Sequence, residues 1–430
     1  DRHSEVYLAL LRDRELALKG AAQREAIREL TDEIDNVRAA WAWAVKREKY
    51  DLIGPALRCF SWFHEMRGWH REGIEQIEAV VQGLRGRSED EERQRVLGQA
   101  LAEQGLLFFR KGEHDRAQPL LKESLVVLRP IGDPALLVGP LIFSGIIMFL
   151  GGQFDRAQSL MDECLTCARA ADDPWFEAYA LFNEGYIAGL LGRTAEGYQQ
   201  MLAGLAMWRA LGDSRYTALG LNFISPTAIK LGHYEEAGAF LQESLALCTQ
   251  VGDRWGMGTA YRYLGLLALT QGDISEAQSL IHTSLDLFSE FVTGWDIVLS
   301  LIYLGEATVG AQDLPKAQQV YLGALDLAVK AQATSLALDV LMRLADLQAR
   351  AGQVEQALKL SACVLSHSAS TQEAKDRAQQ LLVQLESQLR PRQVTALREE
   401  GQAFGALVTE LLNTAPRDAG EAGVPWQGLE

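Results

Sequence analysis

Glycine stands at Gly112, Gly152, Gly192, Gly232, Gly272 and Gly352, with Gln312 at the one missing step, so one residue type recurs every 40 positions. Five residues after each of these comes a small one: Ala117, Ala157, Gly197, Ala237, Ala277, Ala317 and Ala357. A third series precedes the glycines by seven: Gly105, Gly145, Gly185, Ser225, Gly265, Gly305 and Ala345. Small side chains let two helix backbones approach closely, and glycine just past a helix end supplies the left-handed conformation of a C-cap. Each 40-residue unit is therefore predicted to be a helix A, a tight turn at the glycine and a helix B of similar length, as in FDRAQSLMDECLTCARAA from Phe154 to Ala171. Helix A starts are marked too. Asp133 and Asp173 precede Pro134 and Pro174, Asp213 and Asp253 recur at the same phase, and Thr293 takes over where Asp is absent. Asp or Thr accepts from the first free backbone N–H groups, and Pro at the first helical position loses nothing by lacking one.

Composition narrows what such an array can do. Across 430 residues, 57 Asp and Glu oppose 41 Lys and Arg, a net charge of −16 that repels a phosphate backbone, and no basic stripe offsets it. Nucleic acid is not an expected partner of this region. The five cysteines are odd in number and lack the spacing of a disulfide framework, and the opening DRHSEVYLALL lacks the sections of a signal peptide; a reducing cytoplasm is the expected compartment. Residues 135–153 carry no charge, yet contain Gly139, Pro140 and Gly145 and fall in phase with charged copies of the same unit, so they are predicted to be an apolar internal helix rather than a membrane span.

Candidate chemistry is sparse. The sequence contains no GxxxxGK[ST] loop, no GxSxG or HExxH, no glycine fingerprint in a strand context and no alternating strand runs, and an enzyme is not expected. Cys164 and Cys167 form a lone CxxC inside a predicted helix B, where Cys164 takes the small-residue position of Ser244 and Ser284, so packing is the expectation. His64 and His70 flank Glu65 and Glu72 without the spacing of metal ligands. Trp175, Trp255 and Trp295 recur just inside helix A, where a large apolar ring can pin the preceding turn.

The apolar residue and glycine of helix A, as at Leu181 and Gly185, followed by Ala and a small residue seven further on in helix B, as at Ala237 and Ser244 or Ala277 and Ser284, resemble the tetratricopeptide repeat. The resemblance covers residues 96–366 in seven units, 40 residues long rather than the family's 34, which lengthens the helices by about a turn. It implies an all-α fold, a right-handed superhelix (α-solenoid) of tetratricopeptide-like helix pairs whose concave face is lined by helix A. Around it, residues 1–87 are expected to be an N-terminal helical linker or capping region, 88–95 (SEDEERQR) a charged joint, 371–413 C-terminal capping helices and 414–430 a disordered tail.

The flanks, with RHSEVYLALL, the series Asp35, Asn36, Arg38, Ala39, Ala40 and Trp43, MRGWHREG from Met66 and PRQVTALREEGQAFGALVTELL from Pro391, are similar to those around the repeat array in bacterial signal-transduction ATPases of the STAND class. Arrays of that class, the one of the maltose-responsive transcription activator among them, act as sensors. The resemblance implies a sensor half that regulates an upstream nucleotide-binding module. No cofactor is expected in this chain, ATP or ADP with Mg belonging to that module, and the full-length protein could oligomerise. A constitutive scaffold in a protein complex is the alternative.

Function must then lie on a surface. Counting the helix A glycine as position eight of the tetratricopeptide pattern, positions two, five, six and nine face inward. They give Tyr179, Phe182, Asn183 and Tyr186, then Leu219, Asn222, Phe223 and Pro226, then Thr259, Arg262, Tyr263 and Leu266, and finally Tyr303, Glu306, Arg343 and Asp346. Rings interspersed with amides and charges suit a peptide or protein ligand first and a small effector second, with no membrane role. Asn183 resembles the asparagine with which tetratricopeptide domains hold a peptide backbone; without a lysine clamp beside it, bonding to a neighbouring helix is an equal expectation.

Overall fold

The computed structural model of the chain describes residues 2–86, 90–289 and 294–414. The expected cap at Thr293, the start of the charged joint at Ser88 and the tail beyond residue 414 lie outside the described residues. Among the described residues there is no strand. Six helices come first: α1 (Arg2–Leu18), α2 (Gln23–Asp32), α3 (Ile34–Lys46), α4 (Tyr50–Ile53), α5 (Leu57–Met66) and α6 (His70–Leu84). Seven helix pairs follow. They are α7 (Glu91–Arg110) with α8 (His114–Leu128), α9 (Pro134–Leu150) with α10 (Phe154–Ala170), α11 (Pro174–Leu190) with α12 (Thr194–Leu211), and α13 (Ser214–Lys230) with α14 (Tyr234–Val251). The last three are α15 (Arg254–Gln271) with α16 (Ile274–Phe288), α17 (Gly294–Gly310) with α18 (Leu314–Lys330), and α19 (Thr334–Arg350) with α20 (Val354–Ser366). Three single helices close the chain: α21 (Gln372–Glu386), α22 (Pro391–Glu400) and α23 (Phe404–Thr414).

The repeat works through its turns. Every glycine of the 40-residue series has a positive φ, from 75° at Gly152 to 89° at Gly192, and Gln312 adopts the same conformation with φ 65°. A second series serves the return turn from helix B to the next helix A: Gly132, Asp172, Gly212, Gly252 and Gln332 are all left-handed. A helix of 17 residues with three turn residues thus repeats every 20 positions. At Gly272 the bonds are those of a Schellman cap, Asp273 N donating to Ala268 O at 3.0 Å. The helix A aspartates cap as expected, Asp133, Asp173, Asp213 and Asp253 accepting from Ala135, Trp175, Tyr216 and Gly256 N, and Asp273 and Asp313 do the same at the helix B starts of α16 and α18.

The two small-residue series face one another. A Cβ added at Gly105, Gly145, Gly265 or Gly305 would lie 2.8, 2.6, 2.6 or 2.3 Å from a side-chain atom of Leu121, Met161, Ile281 or Tyr321, sixteen residues on in the partner helix. The same Cβ at Gly105, Gly145 and Gly265 would sit 3.3–3.5 Å from the carbonyls of Ala117, Ala157 and Ala277, members of the other series, which are themselves fully buried. Helix α9 is the charge-free segment. Its residues pack as one repeat among others, and no described helix is long and apolar enough to cross a membrane.

Two compact units divide the chain. One comprises residues 1–148, 155–185 and 199–220, the other 149–154, 186–198 and 221–430. In the first, the turn after α1 packs on the turn after α12: a Cβ on Gly20 would stand 3.0 Å from Leu211 O, and one on Gly212 would stand 2.9 Å from Ala21 Cβ. In the second, the link between α20 and α21 lies against the helix A to helix B turns at Gly152 and Gly192, through Ala369 and Gln372, and Glu373 Oε2 accepts from Lys230 Nζ at 2.8 Å.

Candidate functional site

Successive A helices present one aromatic residue each toward their neighbours. In the second unit Phe149, Tyr186, Phe223, Tyr263 and Tyr303 form a ladder, with ring centroids 5.5, 6.1, 6.3 and 6.4 Å apart in order. Edge-to-face and tilted contacts at this spacing suit aromatic quadrupoles. Tyr263 is buried, while Tyr186, Phe223 and Tyr303 keep part of their surface exposed. Burial pushes the phenols of Tyr186 and Tyr303 well above their usual range, so both stay neutral hydrogen-bonding groups at any physiological pH.

At its far end the ladder meets charge. Arg343 is 8% exposed; its Nη1 donates to Asp339 Oδ1 at 2.7 Å and its Nη2 lies 2.8 Å from Glu306 Oε1. Burial pulls this guanidinium toward neutrality, but Asp339 and Glu306 outweigh it and hold it charged. Asp346 pairs with Arg377 of α21. The carboxylates of Glu306, Asp339 and Asp346 are 26, 28 and 22% exposed beside the buried Arg343, and Arg377 is 41% exposed, so both signs of charge meet solvent here.

Asn222 and Arg262 lie at equivalent positions of adjacent repeats and do equivalent work. Asn222 Nδ2 donates to Gly256 O at 3.0 Å, and Arg262 Nη1 donates to Asp296 O at 3.2 Å and Oδ1 at 2.9 Å. Both side chains are fully buried, and each ties one helix A to the start of the next. Asp296 is held from a second side by Trp255 Nε1 at 2.8 Å. Arg262 also lies over the rings of Tyr263 and Phe288, 4.8 and 5.3 Å from their centroids.

Tyr179, Phe182 and Asn183 fall in the first unit, where the inner face is occupied by its own chain. Asn183 Nδ2 donates to Tyr179 O of its own helix at 2.8 Å, and Phe182 packs on Trp208 at 5.3 Å. Tyr179 continues a second ladder, Phe109, Phe143, Tyr179 and Tyr216, at 5.6, 6.1 and 5.3 Å. Beside it Glu65 of α5 accepts from Arg215 Nη1 and Nη2 at 2.5 and 2.6 Å, and Arg110 Nε lies 3.1 Å away, too bent for a hydrogen bond but close in charge. Burial alone would raise the Glu65 pKa, yet Arg215 and Arg110 bring it down to about 2. Lys19 of α1 sits 5.0 and 4.9 Å over Trp62 and Phe176 and 3.3 Å from Asp173 Oδ2. Trp175, expected to pin a turn, donates Nε1 to Asp213 Oδ2 at 2.9 Å and contacts Trp62, Phe176, Tyr179 and Tyr216.

Asp296, Asp339, Phe149 and the Glu65 cluster were not reached from sequence. Phe149 and Tyr186 precede the next rung by 37 residues rather than 40, one helical turn out of phase, so a fixed-period search passes over Phe149. Cys164 is fully buried with Sγ 3.4 Å from Val138 O, as packing requires. His64 sends Nδ1 to Phe60 O at 2.8 Å, and among the described residues no three His, Cys, Asp or Glu side chains converge on a point that could hold a metal.

No protein-family model matches the chain, and no curated protein matches it. Solved structures do. A Rap protein complexed with competence and sporulation factor is 14% identical over 86% of this chain and 98% of its own, with a TM-score of 0.55. The human IFIT1 dimer with m7Gppp-AAAA is 13% identical over 96% of this chain and 95% of its own, at 0.50. A STAND protein with a tetratricopeptide repeat sensor from Pyrococcus horikoshii is 15% identical over 91% of this chain and 55% of its own, at 0.46. At these identities the likenesses bear on fold: the chain is an all-helical, tetratricopeptide-like solenoid of stacked pairs.

Proposed function

We propose that this chain is a binding module that takes an extended peptide or protein segment along the aromatic ladder of its second unit. The observation that carries this is the exposure pattern: Tyr186, Phe223 and Tyr303 stay partly open in a row, whereas the first unit's inner face is filled by α5 and α1. Rings spaced by one repeat each offer apolar contact, neutral phenols supply hydrogen bonds, and the Rap structure was obtained with a bound factor. The IFIT1 structure was obtained with m7Gppp-AAAA, but the net charge of −16 here disfavours phosphate.

The sequence resemblance of the flanks supports a sensor in a STAND-class ATPase, with binding passed to a nucleotide-binding module. The test is selection of random peptides on the chain, with rechecking of the selected peptides and a capped oligoadenylate against Tyr186→Ala and Tyr303→Ala. Binding of peptides that both variants weaken tenfold, about 1.4 kcal/mol, supports the reading. No peptide bound, or binding insensitive to both variants, ends it. A P-loop encoded upstream in the full gene, with ATPase activity that responds to the selected peptide, separates sensor from scaffold.

A further inference from the structure

Gly139 stands out among the A-helix positions of its phase. Gln99, Tyr179, Leu219, Thr259 and Leu299 occupy the equivalent sites, and a Cβ added at Gly139 would meet nothing within 4 Å. The space left is a cavity of about 10 Å³ inside the first unit, lined by Leu57 and Arg58 of α5, Gln99, Ala102 and Glu103 of α7, and Leu136, Gly139 and Pro140 of α9. That is the room needed by one water molecule, roughly 10–15 Å³ on the same measure.

The lining is polar where it counts. Glu103 is 7% exposed; its Oε1 lies 3.7 Å from Arg58 Nε, but its Oε2 is buried with no hydrogen-bond partner. Arg58 is oriented by Glu15 Oε1 at 3.4 Å and Ala135 O at 3.2 Å. Pro140, also on the wall, has no N–H to give back to its own helix. A buried carboxyl oxygen without a partner, at a cavity of this size, calls for a water to hydrogen-bond it.

We propose that the cavity beside Gly139 is a binding site for one ordered water, which hydrogen-bonds Glu103 Oε2 and fills the space between α7 and α9. The charged groups around Glu103 are Arg58, Glu15 and Lys19, and burial, opposed by Arg58, raises its pKa to about 7, so the carboxyl depends on local hydrogen bonds rather than on bulk solvent.

Two substitutions at position 139 separate this site from a mere void. Gly139→Ala places a methyl in the cavity, displaces the water and leaves Glu103 Oε2 unpaired; Gly139→Ser places a hydroxyl there that takes over the donation. Helix propensity alone ranks Ala above Ser. With the water site, the order reverses, and the thermal midpoint of Gly139→Ser in the full chain lies about 2–4 °C above that of Gly139→Ala. A high-resolution crystal structure of the unsubstituted chain shows one density peak within hydrogen-bond distance of Glu103 Oε2. An Ala variant as stable as the Ser variant or more so overturns the proposal, and so does a cavity without density.

Discussion

Removing the carboxylate of Glu65 is the most informative perturbation of the first unit, because one side chain from α5 is held by arginines from α7 and α13. Its pKa falls from the ordinary 4.5 to about 2, and at 1.36 kcal/mol per pH unit the native state gains about 3 kcal/mol from ionised Glu65. The group is buried, so solvent screening removes little of this. The sign follows from a depressed pKa: the contribution is present in full above the unfolded value near 4.5 and is lost as pH falls through about 2. Glu65→Gln should therefore lower stability at pH 7 by about 3–5 kcal/mol, since it also removes the buried anion that faces Arg110 and Arg215. The assay is urea denaturation, followed by tryptophan fluorescence, of both proteins at pH 7, 5 and 3. The gap between them should be constant from pH 7 to 5 and narrower at pH 3. A gap under about 1 kcal/mol at pH 7, or one that widens toward pH 3, would refute the account of the cluster.

Gly265→Leu forces side-chain atoms into Ile281, which already lies 2.6 Å from an added Cβ, and should cost about 1–3 kcal/mol or more in chemical denaturation; an unchanged midpoint would deny the close approach of α15 and α16. Gln312→Gly relieves a left-handed non-glycine residue at φ 65° and should raise stability by about 1 kcal/mol, with Gln332→Gly at φ 54° as a second instance; a loss of stability in both would contradict the turn assignment. Trp255→Phe removes one of the two hydrogen bonds on the buried Asp296 carboxylate and should destabilise by about 1–3 kcal/mol in the same assay, whereas no change would mean that water replaces the indole.

The repeat was legible because its signal is steric. Only glycine or alanine fits where α7 crosses α8 or α15 crosses α16, and a left-handed residue is needed wherever a 17-residue helix must reverse in three residues. Such demands recur in every unit, so they show as periodic residues. Glu65, Arg110 and Arg215 meet across sequence separations of 45 to 150 residues and occur once. Nothing repeats, and a single sequence holds no trace of the pairing. The second glycine series stayed hidden for a milder reason: Asp172 and Gln332 interrupt it, and both tolerate the conformation only because the turn bonds around them over-determine it.

Position within a repeat also tells less than it promises about role. Asn222, Arg262, Ile302 and Met342 share one phase, and the first two are the ones expected on the concave side. In the structure the first two turn along the array instead and hydrogen-bond the carbonyl 34 residues on, while Ile302 and Met342 are fully buried in the core. The next position, Phe223, Tyr263 and Tyr303, carries the ladder, and of these Phe223 and Tyr303 remain partly open. A shift of one residue on a helix is a rotation of about 100°, enough to move a side chain from the surface to the inter-repeat seam. An array can thus keep its geometry with polar or apolar side chains at the seam, whereas the ladder position has an aromatic ring in all three of these central repeats. That difference in tolerated chemistry separates the residues that hold the repeats together from those available to a ligand.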